Sequence, residues 1–326
     1  MTFLELLSRT VSGVKTSASA ENTQPPNSLN VFPETIFGLS LRPSDNKIAV
    51  GTFVKASNDN YITIDQSKYH HRLPPSKVAW SPSDANVFAS TSSSLRIWKT
   101  CSSKPEIKLH SNAKGLPTGG PSPITSMDWN PSNPAKLATS QVDTTVVIWD
   151  IERGKMDTQL IAHDRPVFDV GFCGKYNPSI FASVSEDGSL RIFDTRDLDH
   201  STIAYEDSNP LIRLAWNQGN ANLVACTVCD SSEILIFDMR KAGQISTRLL
   251  SGSNGAVNAI AWNPKNSACI AAGLANGACV SVKTSGEAKE RQFDCGVVNV
   301  QWTSDGKSIA AVHDNNVSLI NVDELN

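Results

Sequence analysis

Phe193-Asp194-Thr195-Arg196 returns as Phe237-Asp238-Met239-Arg240, a step of 44 residues. Ahead of each copy runs the same succession within 160–240: an alternating run closing on an aromatic residue, then a run of small residues, then an acidic turn. Alternating β-branched and aromatic residues suit pleated strands. A repeat of about 40–45 residues holding four short strands is one supersecondary unit, and such a unit cannot bury both its faces alone. It must stack on neighbours of its own kind, which restricts the chain to a ring or an open array.

The same unit runs through the whole chain. Inner strands end at Leu41, Trp80, Trp129, Phe172, Trp216, Trp262 and Trp302, with steps from Trp80 of 49, 43, 44, 46 and 40 residues. Each is followed 18 to 23 residues later by a third-strand residue: Ile64, Trp98, Trp149, Phe193, Phe237, Val282 and Ile320. Between them lie small-residue strands such as IAVGTF, FASVSE and IAAGLA, which permit close approach. Turns are expected at Asp143-Thr144, Asp187-Gly188, Ser231-Ser232 and Asn276-Gly277. Seven units fill 36–322, and the pattern predicts an all-β, seven-bladed WD40 β-propeller.

The last unit ends at Val322 without a fourth strand, so 29–32 is expected to complete it by pairing with 317–322. Closing the ring in this way removes a sheet edge. The domain reading is a tail over 1–28, short amphipathic helix or disordered, and a propeller over 29–326. Ser, Thr, Asn and Pro crowd 16–27, and Glu5 and Glu21 argue against a mitochondrial presequence. Two units depart from the pattern. The second carries a Gly/Pro-rich loop within 111–123, and the sixth lacks the acidic turn residue and the third-strand Trp, which makes it the blade expected to be least rigid.

Function classes narrow quickly. A net charge of −3 gives no electrostatic reason for nucleic-acid or anionic-membrane binding, and no apolar run approaches the length of a membrane span. Seven cysteines scattered through predicted strands read as reduced core thiols of a cytoplasmic and nuclear protein. Cys226 and Cys229 lack the second ligand pair a zinc site needs, and three residues apart on a strand they face opposite sides. No phosphate-binding glycine loop, nucleophile elbow or zinc-protease motif is present, so neither an enzyme nor a cofactor is expected. His70-His71 reads as a solvated turn.

His163, Ser183 and Asp187 in one unit contain the residue types of nucleophilic catalysis. Their order fits a structural role better, with the loop His bonding the turn Asp and Phe193 standing where a Trp would donate. Asp143 and Trp149 read as the same device in the third unit. Asp194 with Arg196, and Asp238 with Arg240, end third strands of adjacent units on one face. They are either local turns or a docking element, since WD-x-R in tandem blades resembles the motif that attaches propellers to cullin-four ligases. Lys77, Asp164, Arg165, Asp187 and Arg213 are the candidates for partner contact at the opposite mouth.

Several strings resemble one WD-repeat family in particular: TQLIAHD at 158–164, FASVSEDGSLRIFD at 181–194, HSTIAYE at 200–206 and PLIRLAWN at 210–217. Shorter matches are IAVGTFV at 48–54, VNAIAW at 257–262 and VNVQW at 298–302. That family holds the plant TRANSPARENT TESTA GLABRA and anthocyanin-regulator proteins and the animal adaptor for DYRK-type kinases, also a cullin-four associated factor. The resemblance implies a monomeric, non-enzymatic scaffold for kinases and transcription regulators, or a substrate receptor of a cullin-four ubiquitin ligase. The altered sixth unit puts any partner that grips it in doubt.

Overall fold

The structure, a computed structural model, describes residues 28–54, 59–111, 120–174, 177–241, 244–250 and 255–325. The expected tail lies outside the described residues except for Ser28, as does 112–119 of the Gly/Pro-rich loop. Among the described residues no helix is long and apolar enough to cross a membrane.

Seven four-stranded antiparallel sheets form, and six are sequential meanders, each running from an inner to an outer strand. The inner strands end at the predicted residues, from Ile36–Leu41 in blade 1 to Val297–Trp302 in blade 7. Blade 7 takes its fourth strand from the N-terminal side: Ser28–Val31 pairs antiparallel with Asn316–Asn321. The contact falls on 316–318, at the start of that strand, and extends to Phe32, whose amide donates to Asn315 O at 2.9 Å. The ring is closed by a strand from the other end of the sequence.

One apolar cluster fills each junction between blades. Trp129 and Trp149 pack with Leu95 and Ile97 between blades 2 and 3, and Phe172, Phe181 and Phe193 pack with Ile148 between blades 3 and 4. The second strands are buried on both faces, which explains their small residues. At Gly273 an added Cβ would sit 2.6 Å from Val297 Cγ1, so blades 6 and 7 approach only because that residue is glycine.

Hydrogen bonds between inner strands tie the blades further. Asp128 Oδ2 accepts from Phe172 N at 2.7 Å, Asp169 Oδ2 from Leu214 N at 3.0 Å, and Gln301 Oε1 from Leu41 N at 2.8 Å. At the other end, Asn130, Asn217 and Asn263 each cap their own turn through Oδ1. Their Nδ2 groups donate to Pro178 O, Ser267 O and Gly306 O of the next blade, at 2.7, 2.8 and 2.8 Å.

Six of the seven inner strands shift register near their start, for example between Val167 and Asp169 and between Leu211 and Arg213. Such a bulge re-aims the side chains around it. In blades 3, 4 and 5 the residue following the bulge is Ser126, Asp169 or Arg213, and all three line the central channel.

Deleting residues 1–32 removes the closing strand, whereas deleting 1–27 alone keeps it. The shorter chain is expected to lose about 3 kcal/mol, roughly three hydrogen bonds at ~1 kcal/mol each. It should also aggregate on warming through its exposed edge. Urea unfolding of the two chains, with light scattering, measures both effects.

Candidate protein-docking surfaces

The two Asp-x-Arg pairs form identical forks. Arg196 Nε donates to Asp194 Oδ1 at 2.9 Å and Nη2 to Oδ2 at 2.6 Å, and Arg240 repeats the geometry on Asp238 at 2.9 and 2.6 Å. Each carboxylate also accepts the amide two residues on, Arg196 N at 2.9 Å and Arg240 N at 3.0 Å. The i, i+2 spacing thus makes one carboxylate both the turn-former and the anchor of the guanidinium. The arginine side chains remain 70% and 66% exposed. The hydrogen bonds from Arg240 pull the Asp238 carboxyl down to about 2. In blade 3 the arginine comes one residue later. Arg153 Nε stands 3.9 Å from Asp150 Oδ2, Lys136 takes that oxygen at 3.2 Å, and no fork forms.

The opposite end of blade 4 is a polar core. His163 Nδ1 faces Asp187 Oδ2 at 3.0 Å, and Nε2 faces Ser183 Oγ at 2.8 Å. Donation from Nδ1 to the carboxylate fixes Nε2 as acceptor from the serine. Ser189 joins through its amide and hydroxyl, at 2.9 and 2.7 Å from Asp187 Oδ1, and holds the turn at Gly188, whose φ is +79°. Burial alone would raise the Asp187 carboxyl, but hydrogen bonds from His163 and Ser189 outweigh it and hold the group well below its ordinary range. Burial keeps His163 below its own. Ser183 and His163 are both buried, so this triad faces no substrate.

Several expectations are corrected here. Asp143 and Trp149 do not repeat the device of blade 4: Trp149 Nε1 donates to Thr139 Oγ1 at 2.8 Å, Asp143 Oδ1 accepts from Thr145, and no histidine links them. Asp143 Oδ2 is buried and has no partner among the described residues. His71 is not in a solvated turn but ends the strand Ser67–His71, buried, with Nε2 3.1 Å from Ser90 Oγ, and Trp98 Nε1 reaches that oxygen at 2.9 Å. Burial pushes the His71 imidazole down to about 3. The His-to-Ser spacing of 19, against 20 in blade 4, was the signal available in the sequence. The turn expected at Ser231-Ser232 falls on Cys229 and Asp230, with Asp230 at φ +57°. Cys226 and Cys229 pack in different clusters.

The five candidates at the other mouth divide into three placements. Asp164 and Arg165 are exposed on the rim, Asp164 pairing with Arg191 at 2.8 Å. Asp187 faces inward to His163 and is occupied. Lys77 and Arg213 line the channel, a cavity of about 250 Å³, together with Asp128, which sequence reasoning missed. Ser126 Oγ donates to Asp169 Oδ1 at 2.6 Å and accepts from Lys77 Nζ at 2.9 Å. Among the described residues no group of three or more His, Cys, Asp or Glu gathers to hold a metal.

Burial pushes Asp128 up to about 6, with Lys77 and the Phe172 amide opposing. A carboxyl that binds its proton more tightly folded than unfolded costs stability as pH rises, here between about 4 and about 6. Asp128→Asn removes that dependence and keeps an acceptor for Phe172 N. The variant should gain on wild type across that window, reaching on the order of 2 kcal/mol at pH 7, as read by urea unfolding at a series of pH values.

Fold and faces define a WD40 β-propeller without an exposed catalytic constellation among the described residues. The WD domain, G-beta repeat family matches 115–150 and 154–194, and the family Eukaryotic translation initiation factor eIF2A matches 181–313. The chain is 38% identical over 258 residues to the DDB1- and CUL4-associated factor 7 homolog of Dictyostelium discoideum, covering 73% of this chain and 78% of that one. It is 36% identical over 250 residues to an uncharacterized WD repeat-containing protein of Schizosaccharomyces pombe and 34% over 230 to a WD repeat-containing protein of Saccharomyces cerevisiae, spanning 55% and 44% of their lengths. The chain belongs to the WD-repeat family of the DDB1- and CUL4-associated factor 7 homolog.

Proposed function

We propose that the protein is a non-enzymatic adaptor that joins protein partners across its two faces. The fork face docks DDB1 of a cullin-four ligase, the association recorded in the name of the Dictyostelium relative. The observation that carries this is the pair of matched forks in adjacent blades, each presenting an exposed arginine already fixed by its own aspartate. Arginines held rigid before binding lose little entropy when a partner arrives.

The opposite face presents kinases of DYRK type and transcription regulators, the partners implied by the resemblance to the kinase adaptor and the plant regulators. Exposed Asp164 and Arg165 and the channel mouth are its contact surface. The assembly works in cytoplasm and nucleus as a monomeric propeller. Affinity purification of the tagged chain from its native cell, followed by mass spectrometry, tests the reading. It requires DDB1 together with kinases or transcription regulators in the eluate. An eluate without DDB1 removes the ligase role, and one without kinases or regulators removes the scaffold role.

A further inference from the structure

Arg213 is the channel residue that has no ion pair of its own among the described residues, with Asp169 stabilising its charge only from beyond ion-pair distance. It follows the bulge of the strand Leu211–Trp216; its Nε donates to Asn258 O at 2.7 Å and Nη1 to Ile212 O at 3.1 Å. Both acceptors are backbone carbonyls, and among the described residues no carboxylate lies within ion-pair distance and Nη2 has no hydrogen-bond partner. Burial pushes the guanidinium below its ordinary value.

The two channel carboxylates do not pair with it directly, because both are occupied as clasps between blades. Asp169 accepts from Ser126 Oγ at 2.6 Å, Val170 N at 3.0 Å and Leu214 N at 3.0 Å, with Lys77 Nζ at 3.5 Å. Asp128, two residues deeper on its strand than Ser126, holds Phe172 N. Lys77 is 39% exposed in side chain and keeps donor capacity beyond its bond to Ser126. Arg213 is half-buried, and a desolvated charge with no direct ion pair is costly, so an entering anion would offset that cost.

We propose that the channel mouth is a carboxylate-binding site, in which an aspartate or glutamate side chain of a protein partner is held between Arg213 and Lys77. This deepens the adaptor reading and rests on it only in taking the carboxylate to arrive on a protein. The cavity of about 250 Å³ has room for one such side chain with water. It is an open channel rather than an enclosed pocket, so a bound group is best retained by a larger body outside it. A planar guanidinium matches a carboxylate in two parallel hydrogen bonds.

The test uses the purified full chain, a short labelled peptide alternating Glu and Ser, and its Gln counterpart. Fluorescence anisotropy gives the affinities, and acetylation of Lys77, read by mass spectrometry, reports occupancy in the unaltered protein. The Glu peptide should bind and shield Lys77, and the Gln peptide should do neither. Arg213→Gln should weaken binding by about tenfold or more, the loss of one charge-assisted pair. Lys77→Met should weaken it also, which covers the case in which the arginine variant does not fold.

Equal binding of the two peptides, unchanged affinity in both variants, or acetylation of Lys77 undiminished by the Glu peptide would overturn the proposal. Shielding by acetate or inorganic phosphate alone, without the peptide, would overturn the protein-borne occupant. DDB1 capture should be unchanged by Arg213→Gln and lost on fork reversal. Peptide binding that persists while wild-type DDB1 capture fails would therefore retire the fork reading and keep this site.

Discussion

Arg196→Glu combined with Arg240→Glu is expected to weaken DDB1 binding by about a thousandfold, on the scale of two interface arginines at ~2 kcal/mol each. Both guanidiniums are more than half exposed, and each aspartate keeps the backbone amide two residues on as a donor, so reversal should leave the fold intact. It also sets each new glutamate beside Asp194 or Asp238, turning a fixed cation into a like-charge pair. Single reversals should show intermediate losses. Biolayer interferometry on wild type and the three variants reads the series, and unfolding midpoints within experimental error of one another show that the effect is on binding. A double reversal that binds like wild type would remove the forks from the interface.

His163→Ala carries the largest expected effect on stability, about 3 kcal/mol, because it leaves Ser183 buried without its partner, opens a gap in the core and takes one donor from Asp187, which keeps Ser189 and the Asp164 amide. His71→Ala removes a histidine with no carboxylate partner, since its Nδ1 faces Leu73 O and its Nε2 faces Ser90, and should cost nearer 1–2 kcal/mol. The pH dependence separates them further. The depressed Asp187 carboxyl contributes stability that is present above its unfolded value near 4 and is lost as pH falls toward its folded value. His163, lowered by burial, resists protonation and adds to the same acid lability. The gap between wild type and His163→Ala should therefore narrow on acidification. Urea unfolding at pH 7 and pH 4 reads this, and a gap that widens at pH 4 would contradict the network.

The ring itself was legible because its constraint is local and repeated. The aromatic or apolar residue that ends each inner strand recurs at each repeat, and all seven strand ends fall on the predicted residues. The closing strand was legible from a deficit, the missing fourth strand after Val322. The channel was legible only through Lys77 and Arg213 among the mouth candidates, and Ser126, Asp128 and Asp169 were not legible. Ser126, Asp169 and Arg213 reach it because a bulge precedes each of them, and alternation along a strand does not reveal an extra unpaired residue. The clasps by Asp128 and Asp169 join residues about one repeat apart, so they appear in the sequence as ordinary polar strand positions. His71 was obscured because the blade it bonds to, through Ser90, carries Ser92-Ser93-Ser94 in the turn where Asp187 marks His163 as part of a network. The forks were legible as a motif, but only their geometry shows that local turn and exposed arginine are one arrangement.

Hydrogen–deuterium exchange of the full chain, alone and with DDB1, tests the central claim most directly. Slowed exchange is predicted at the fork turns 194–197 and 238–241, where the Arg196 and Arg240 amides lie under the docking arginines, with the loops around Asp164 and Asp187 unchanged. Protection confined to the Asp164 and Asp187 face, with the two fork turns unaffected, would contradict it.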